Sequence, residues 1–346
     1  MRRGITVVLI LLTLAFPVNA AQWSAPEVPD SGSEWMPEEP VTFTDGVLEI
    51  LSNIMPRILP SLTEAFRTCA AMIGVSLLVS VVQNLHGSVG KAADLSGSVT
   101  IGLILFGATN SMIHLGAETV TEISDYGKLL LPAMTASMAA GGGTTASAAL
   151  YLGTAFFDSL LTTAISALML PMVYVFLALA AANAALGEDI LKQMKDFVKW
   201  LMTWTLKTVL YVFTGYMGIT GVVSGRTDAA ALKAAKLTIS GVVPVVGGIL
   251  SDASEAVLVG ADVVRNSIGV YGLLAILAVW IGPFLQIGIQ YLVLKLTGGI
   301  IGIFGSKSSV QLVQDFTGVM GMLLAMTGAS CLMLLVSTVC FMKGVG

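Results

Sequence analysis

The chain has 346 residues, 55% hydrophobic and 11% charged, with a formal net charge of −4 and a mean hydropathy of +0.89. A soluble domain carries about 25% charged residues because a folded surface must be wetted, so much of this surface faces something other than water. The negative balance excludes a broad basic face, and with it nucleic acid as a partner.

Arg2 and Arg3, the apolar run Ile5–Phe16, the break at Pro17 and the small residues of Val18-Asn19-Ala20 form a signal-peptide pattern. The run is too short to span about 30 Å of hydrocarbon. Cleavage after Ala20 leaves residues 21–46 as a flexible extracytoplasmic lead, rich in Pro, Ser and Glu and too poor in apolar residues to fold alone. Over 47–68, Val47, Leu48, Leu51, Ile54, Ile58, Leu62 and Phe66 recur at helical spacing, which predicts an amphipathic surface helix kinked or split at Pro56 and Pro60.

Residues 69–346 form the multi-spanning membrane domain. Runs free of Asp, Glu, Lys and Arg cover Thr68–Gly90, Leu95–Ala117, Leu129–Phe157, Ser159–Gly187, Thr208–Gly225, Asn266–Leu294 and Phe316–Met342. A helix needs about 20 apolar residues to cross a bilayer, and helices satisfy their own backbone there. The full crossings are Cys69–Leu85, Gly97–Leu115, Leu160–Asn183, Trp200–Val223, Ser267–Val293 and Thr317–Phe341. Leu129–Phe157 is interrupted by Gly141, Gly142 and Gly143, each costing about 1 kcal/mol in a helix interior relative to Ala. It reads as two half-length helices around a turn, a plausible re-entrant hairpin. Leu237–Leu250, with Pro244, Gly247 and Gly248, is another sub-length segment, and such breaks at membrane depth survive only inside protein or beside a cavity. The fold class is therefore all-α: a polytopic helical membrane protein with about six full crossings plus re-entrant or half-length helices.

Gly116–Lys128 reads as an acidic outside loop, whereas Lys192, Lys195 and Lys199 fall inside as the positive-inside tendency prefers. Those lysines form the polar face of an interfacial helix, Glu188–Leu201, that runs into the next crossing, with Trp200 and Trp204 at headgroup level. Arg226–Arg265, placed outside with four basic residues, misfits that topology.

Cys69, Cys331 and Cys340 sit in apolar stretches and read as small fillers. With His86 and His114 far from any Cys pair, neither metal spacing nor a disulfide framework is present. Gly302–Ser308 superficially resembles a phosphate-binding loop, but Ser306 stands where Gly must precede the Lys. No catalytic, cofactor or metal residues are expected. Asp158, flanked on each side by a long uncharged run, is the foremost intramembrane ionisable group. It either lines a polar path or marks a turn between helices. Gln286 and Gln290 share a helix face, suited to interhelical hydrogen bonds or a pore lining. Gly215, Gly218, Gly221 and Gly225 suit close helix contact.

Asp228, Lys233, Lys236, Val243-Pro244-Val245-Val246-Gly247-Gly248, Ser251-Asp252, Glu255 and Arg265-Asn266-Ser267-Ile268-Gly269 follow in one order. With Leu131-Pro132, Ala139-Ala140-Gly141-Gly142 and Gly282-Pro283-Phe284, they resemble the stage III sporulation protein AE family over most of the chain after Val47. Arg265 stands where that family usually has Lys. The resemblance implies a non-enzymatic subunit of a secretion-like channel joining mother cell and forespore, needed for late forespore development. It implies a place in the mother-cell-derived membrane around the forespore. It also implies partners: a cytoplasmic secretion-type ATPase, other polytopic subunits and ring-forming proteins. The alternatives are a stand-alone small-molecule permease and a scaffold that anchors ring proteins.

Overall fold

The computed structural model describes residues 25–37, 42–85, 90–186, 189–242 and 247–343, with the backbone alone at 57, 83–85, 90–91, 221–242 and 247–262. The signal-peptide pattern and Pro244 lie outside these residues. Among the described residues eight α-helical segments follow in chain order: α1 (Asp30–Ser33), α2 (Phe43–Leu85), α3 (Gly90–Ala140), α4 (Thr144–Thr163), α5 (Leu170–Leu186), α6 (Asp189–Val242), α7 (Gly247–Phe304) and α8 (Lys307–Lys343). A π-helical stretch, Ala164–Met169, joins α4 to α5. Among the described residues there is no strand, and five helices are long and apolar enough to cross a membrane. The protein is thus an all-α membrane protein.

The helices start and stop for local reasons. Thr42 caps α2, its hydroxyl meeting both the amide and the carboxylate of Asp45. Ser306 caps α8 by accepting the Ser309 amide at 3.2 Å, so the stretch that resembles a phosphate loop is a helix–helix turn. The π stretch precedes Pro171, which has no N–H to give; the Leu170 amide reaches back to Ile165 O.

Several elements are longer than the sequence implies. Pro56 and Pro60 lie inside an unbroken α2. Its inward residues are Ile50, Ile54, Ala65, Cys69 and Met72, while Leu48, Leu51 and Phe66 face outward. The expected loop Gly116–Lys128 is instead the middle of α3, which at 51 residues is about 77 Å long. Asp158 marks no turn; it lies inside α4. Helix α7 begins at Gly247, with Gly248 in its first turn. Trp200–Val223 falls within α6.

The centre of the bundle is the α7–α8 pair. In their most apolar windows 56% and 61% of residues are buried, against 22% for α2. Helix α3 packs on both central helices, α2 on α7, and α6 against the α4–α5 arm. The expected lead folds no core of its own, but residues 25–37 borrow one. Gly32 lies so close to Val279 of α7 that an added Cβ would sit 2.7 Å from Val279 Cγ2. Trp35 and Met36 pack by Ile50, Leu274 and Ala278, and the Ser31 hydroxyl donates to Glu122 of α3.

Candidate functional site: buried polar contacts between helices

In an apolar bundle a polar side chain must find a partner within the protein. Helix α8 supplies three such partners on successive levels. Near its start, Ser309 lies 3.4 Å from Ser98 of α3. Two turns on, Asp315 pairs with Lys195 of α6, and Gln311 donates to its other oxygen at 3.2 Å. Near its end, Ser337 accepts from Thr154 of α4 at 2.9 Å and donates to Met333 O.

Lys195 is 2% and Asp315 9% exposed. This corrects the reading of Lys195 as part of a basic solvent face: Lys192 and Lys199 are exposed, but Lys195 points into the bundle. The physical reason is the partner. A buried ammonium is tolerable only when a carboxylate and further hydrogen bonds compensate its lost hydration.

Asp158 is 5% exposed and accepts the Ser124 hydroxyl at 2.6 Å. One level away, the Tyr174 hydroxyl donates to Asn110 Oδ1 at 3.0 Å. These two contacts fix α3 as antiparallel to the continuous α4–α5 arm, with 124 beside 158 and 110 beside 174. The hairpin closes at Gly141–Gly143, where the sequence places the turn, but its arms are the 51-residue α3 and the continuous 43-residue α4–α5 span rather than two half-length helices. Gly142 has φ +91°, a conformation L side chains rarely adopt, and the Gly143 amide returns to Met138 O.

Asp158 and the glycine turn thus belong to one hairpin, about 15 residues apart along α4, or about 22 Å. Gln286 and Gln290 belong to α7; Gln290 is buried and Gln286 partly so. Among the described residues no hydrogen bond joins either to Asp158. Gly215 and Gly218 face open space rather than another helix. The tight approach is at Gly153, where a Cβ would lie 1.9 Å from the Tyr216 ring, whose hydroxyl donates to Ala149 O.

The described residues hold no group of three His, Cys, Asp or Glu side chains fit for a metal. Cys69 and Cys331 are buried fillers, Cys69 Sγ lying 2.8 Å from Thr297 Oγ1. A cleft of about 310 Å³ between α3, α5 and α8 is lined by apolar residues such as Leu103, Phe106, Leu177 and Phe316, with Ser98 at its edge.

A stage III sporulation protein AE of Bacillus subtilis (strain 168) is 18% identical over 227 residues, 65% of this chain and 57% of the relative. The match spans little more than half of that relative's length. No solved structure matches. The profile of the stage III sporulation protein AE family matches residues 42–344, which takes in every helix from α2 to α8. The chain belongs to the stage III sporulation protein AE family.

Proposed function

We propose that the chain is a non-enzymatic membrane subunit of a secretion-like channel that connects mother cell and forespore and supports late forespore development. The observation that carries this reading is the family match across nearly the whole described bundle. The buried polar contacts support it too: each is spent holding two helices together, as in a structural or conduit component. In this reading the protein sits in the mother-cell-derived membrane, and energy comes from a cytoplasmic secretion-type ATPase. Other polytopic subunits and ring-forming proteins complete the complex. Asp158 and the Gly141–Gly143 turn position the α3–α4 hairpin, while Gln286, Gln290, Gly247 and Gly248 belong to α7.

The test is deletion of the gene in its native spore-former, scored with a reporter expressed late in the forespore. Loss of the reporter signal, restored by the intact gene, is the expected result. A normal signal overturns the reading. Solute uptake by the purified chain in liposomes, with no partner present, would instead favour a permease.

A further inference from the structure

Helix α3 carries a feature that its apolar composition hides. Ser111, His114, Glu118, Thr121, Asp125 and Lys128 are all exposed. Their spacing of three and four residues puts them on one face of the helix. That face is polar for about 26 Å, close to the thickness of a bilayer's hydrocarbon core. On the same helix, the exposed large residues before the stripe are apolar: Leu95, Val99, Leu103 and Phe106.

The neighbouring arm shows what lies at this level. The Ser124–Asp158 and Asn110–Tyr174 contacts align α3 residues 111–128 with roughly 154–173 of the α4–α5 arm. There the arm exposes Phe156 at 62%, Leu160 at 42% and Leu168 at 43%, within a continuous 43-residue apolar span. One layer of the molecule therefore presents large apolar side chains on the α4–α5 arm, interspersed with the small hydroxyls of Ser159, Thr163 and Ser166, and ionisable ones on α3. Turning Glu118, Asp125 and Lys128 toward acyl chains would cost about 2.5–3.5 kcal/mol for each such charge. The Asp125–Lys128 pair does not remove this cost, since its side chains remain 60% and 67% exposed.

We propose that the outward face of α3 from Ser111 to Lys128 is the wall of a water-filled conduit at membrane depth. The proposal deepens the channel reading and rests on it. The wall is bordered on one side by the α4–α5 arm. On the other lies the segment around α1, whose Ser31 bonds Glu122. Two exposed carboxylates against one ammonium favour neutral hydrophilic solutes and cations over anions.

The experiment uses the full chain in membrane vesicles, with Cys69, Cys331 and Cys340 replaced by Ala. Single cysteines are placed in the stripe (Ser111→Cys, Glu118→Cys, Thr121→Cys) and on the α4–α5 arm (Phe156→Cys, Leu160→Cys, Leu168→Cys). Water-soluble charged thiosulfonates are then applied. Since a thiolate forms in water and not in hydrocarbon, stripe positions should react about tenfold faster or more than the arm positions. The cationic reagent should outpace the anionic one at Ser111→Cys and Thr121→Cys. Equal reactivity of the two sets overturns the proposal, because the layer is then simply outside the membrane. Unreactive stripe positions overturn it too, as does protection of the stripe when the chain sits among its partners in the native membrane, which would mark a protein interface. Labelling is read on the chain itself, so it can fail while the sporulation phenotype stands, and the reverse.

Discussion

Two buried acidic side chains in this bundle are held in different ways. Asp315 has a full counter-charge: Lys195 on one oxygen and the Gln311 amide on the other. Asp158 has the Ser124 hydroxyl as its hydrogen-bond donor, with Lys128 turned instead to Asp125. The first contact ties α6 to the central helix α8 and is costly to break by halves. The second lies at the α3–α4 seam, beside the polar face of α3. The difference separates a fastening of the core from a polar group near a proposed water path.

Removing half of the fastening should have the largest effect. Lys195→Ala leaves Asp315 buried without its counter-charge, an expected loss of about 3–5 kcal/mol, read as unfolding of the detergent-solubilised protein. The double change Lys195→Met with Asp315→Leu should recover most of it, and failure to recover would show that the pair does more than compensate itself. Next is the spacing beside Asp158. Gly153→Ala drives a methyl into the Tyr216 ring and should cost about 1–3 kcal/mol, with Tyr216→Leu in the same chain relieving it. Ser124→Ala takes the donor from Asp158 and should cost about 1–2 kcal/mol. The smallest shift is expected from Thr154→Val, which loses one interhelical hydrogen bond worth about 0.6 kcal/mol in a membrane bundle. If Ser124→Ala proves as damaging as Lys195→Ala, the contrast between the two sites collapses.

The sequence makes the membrane architecture legible because uncharged runs of about 20 residues or more have few other uses. Three consecutive glycines are a poor helix interior and mark the hairpin turn, though not the full length of the helices that meet there. Glu118, Asp125 and Lys128 interrupt the apolar run, so the middle of α3 has the composition of a loop. Charges end a crossing only when their face meets lipid, and their spacing with Ser111, His114 and Thr121 is helical throughout. Lys195 is grouped by local periodicity with Lys192 and Lys199 on one polar face. Its partner is 120 residues away, and no local pattern reports a contact at that separation. The docking of residues 25–37 was invisible for the same reason: the segment supplies a glycine and a few apolar side chains to a core built elsewhere.

That docking also sets an order in time. Val279 is made 247 residues after Gly32, and at about 5–20 residues per second the delay is roughly 12–50 s. Throughout that interval Trp35 and Met36 have no α7 to rest on. The earliest described stretch of the chain is therefore among the last to reach its seat, and a nascent chain halted before α7 would still carry it undocked.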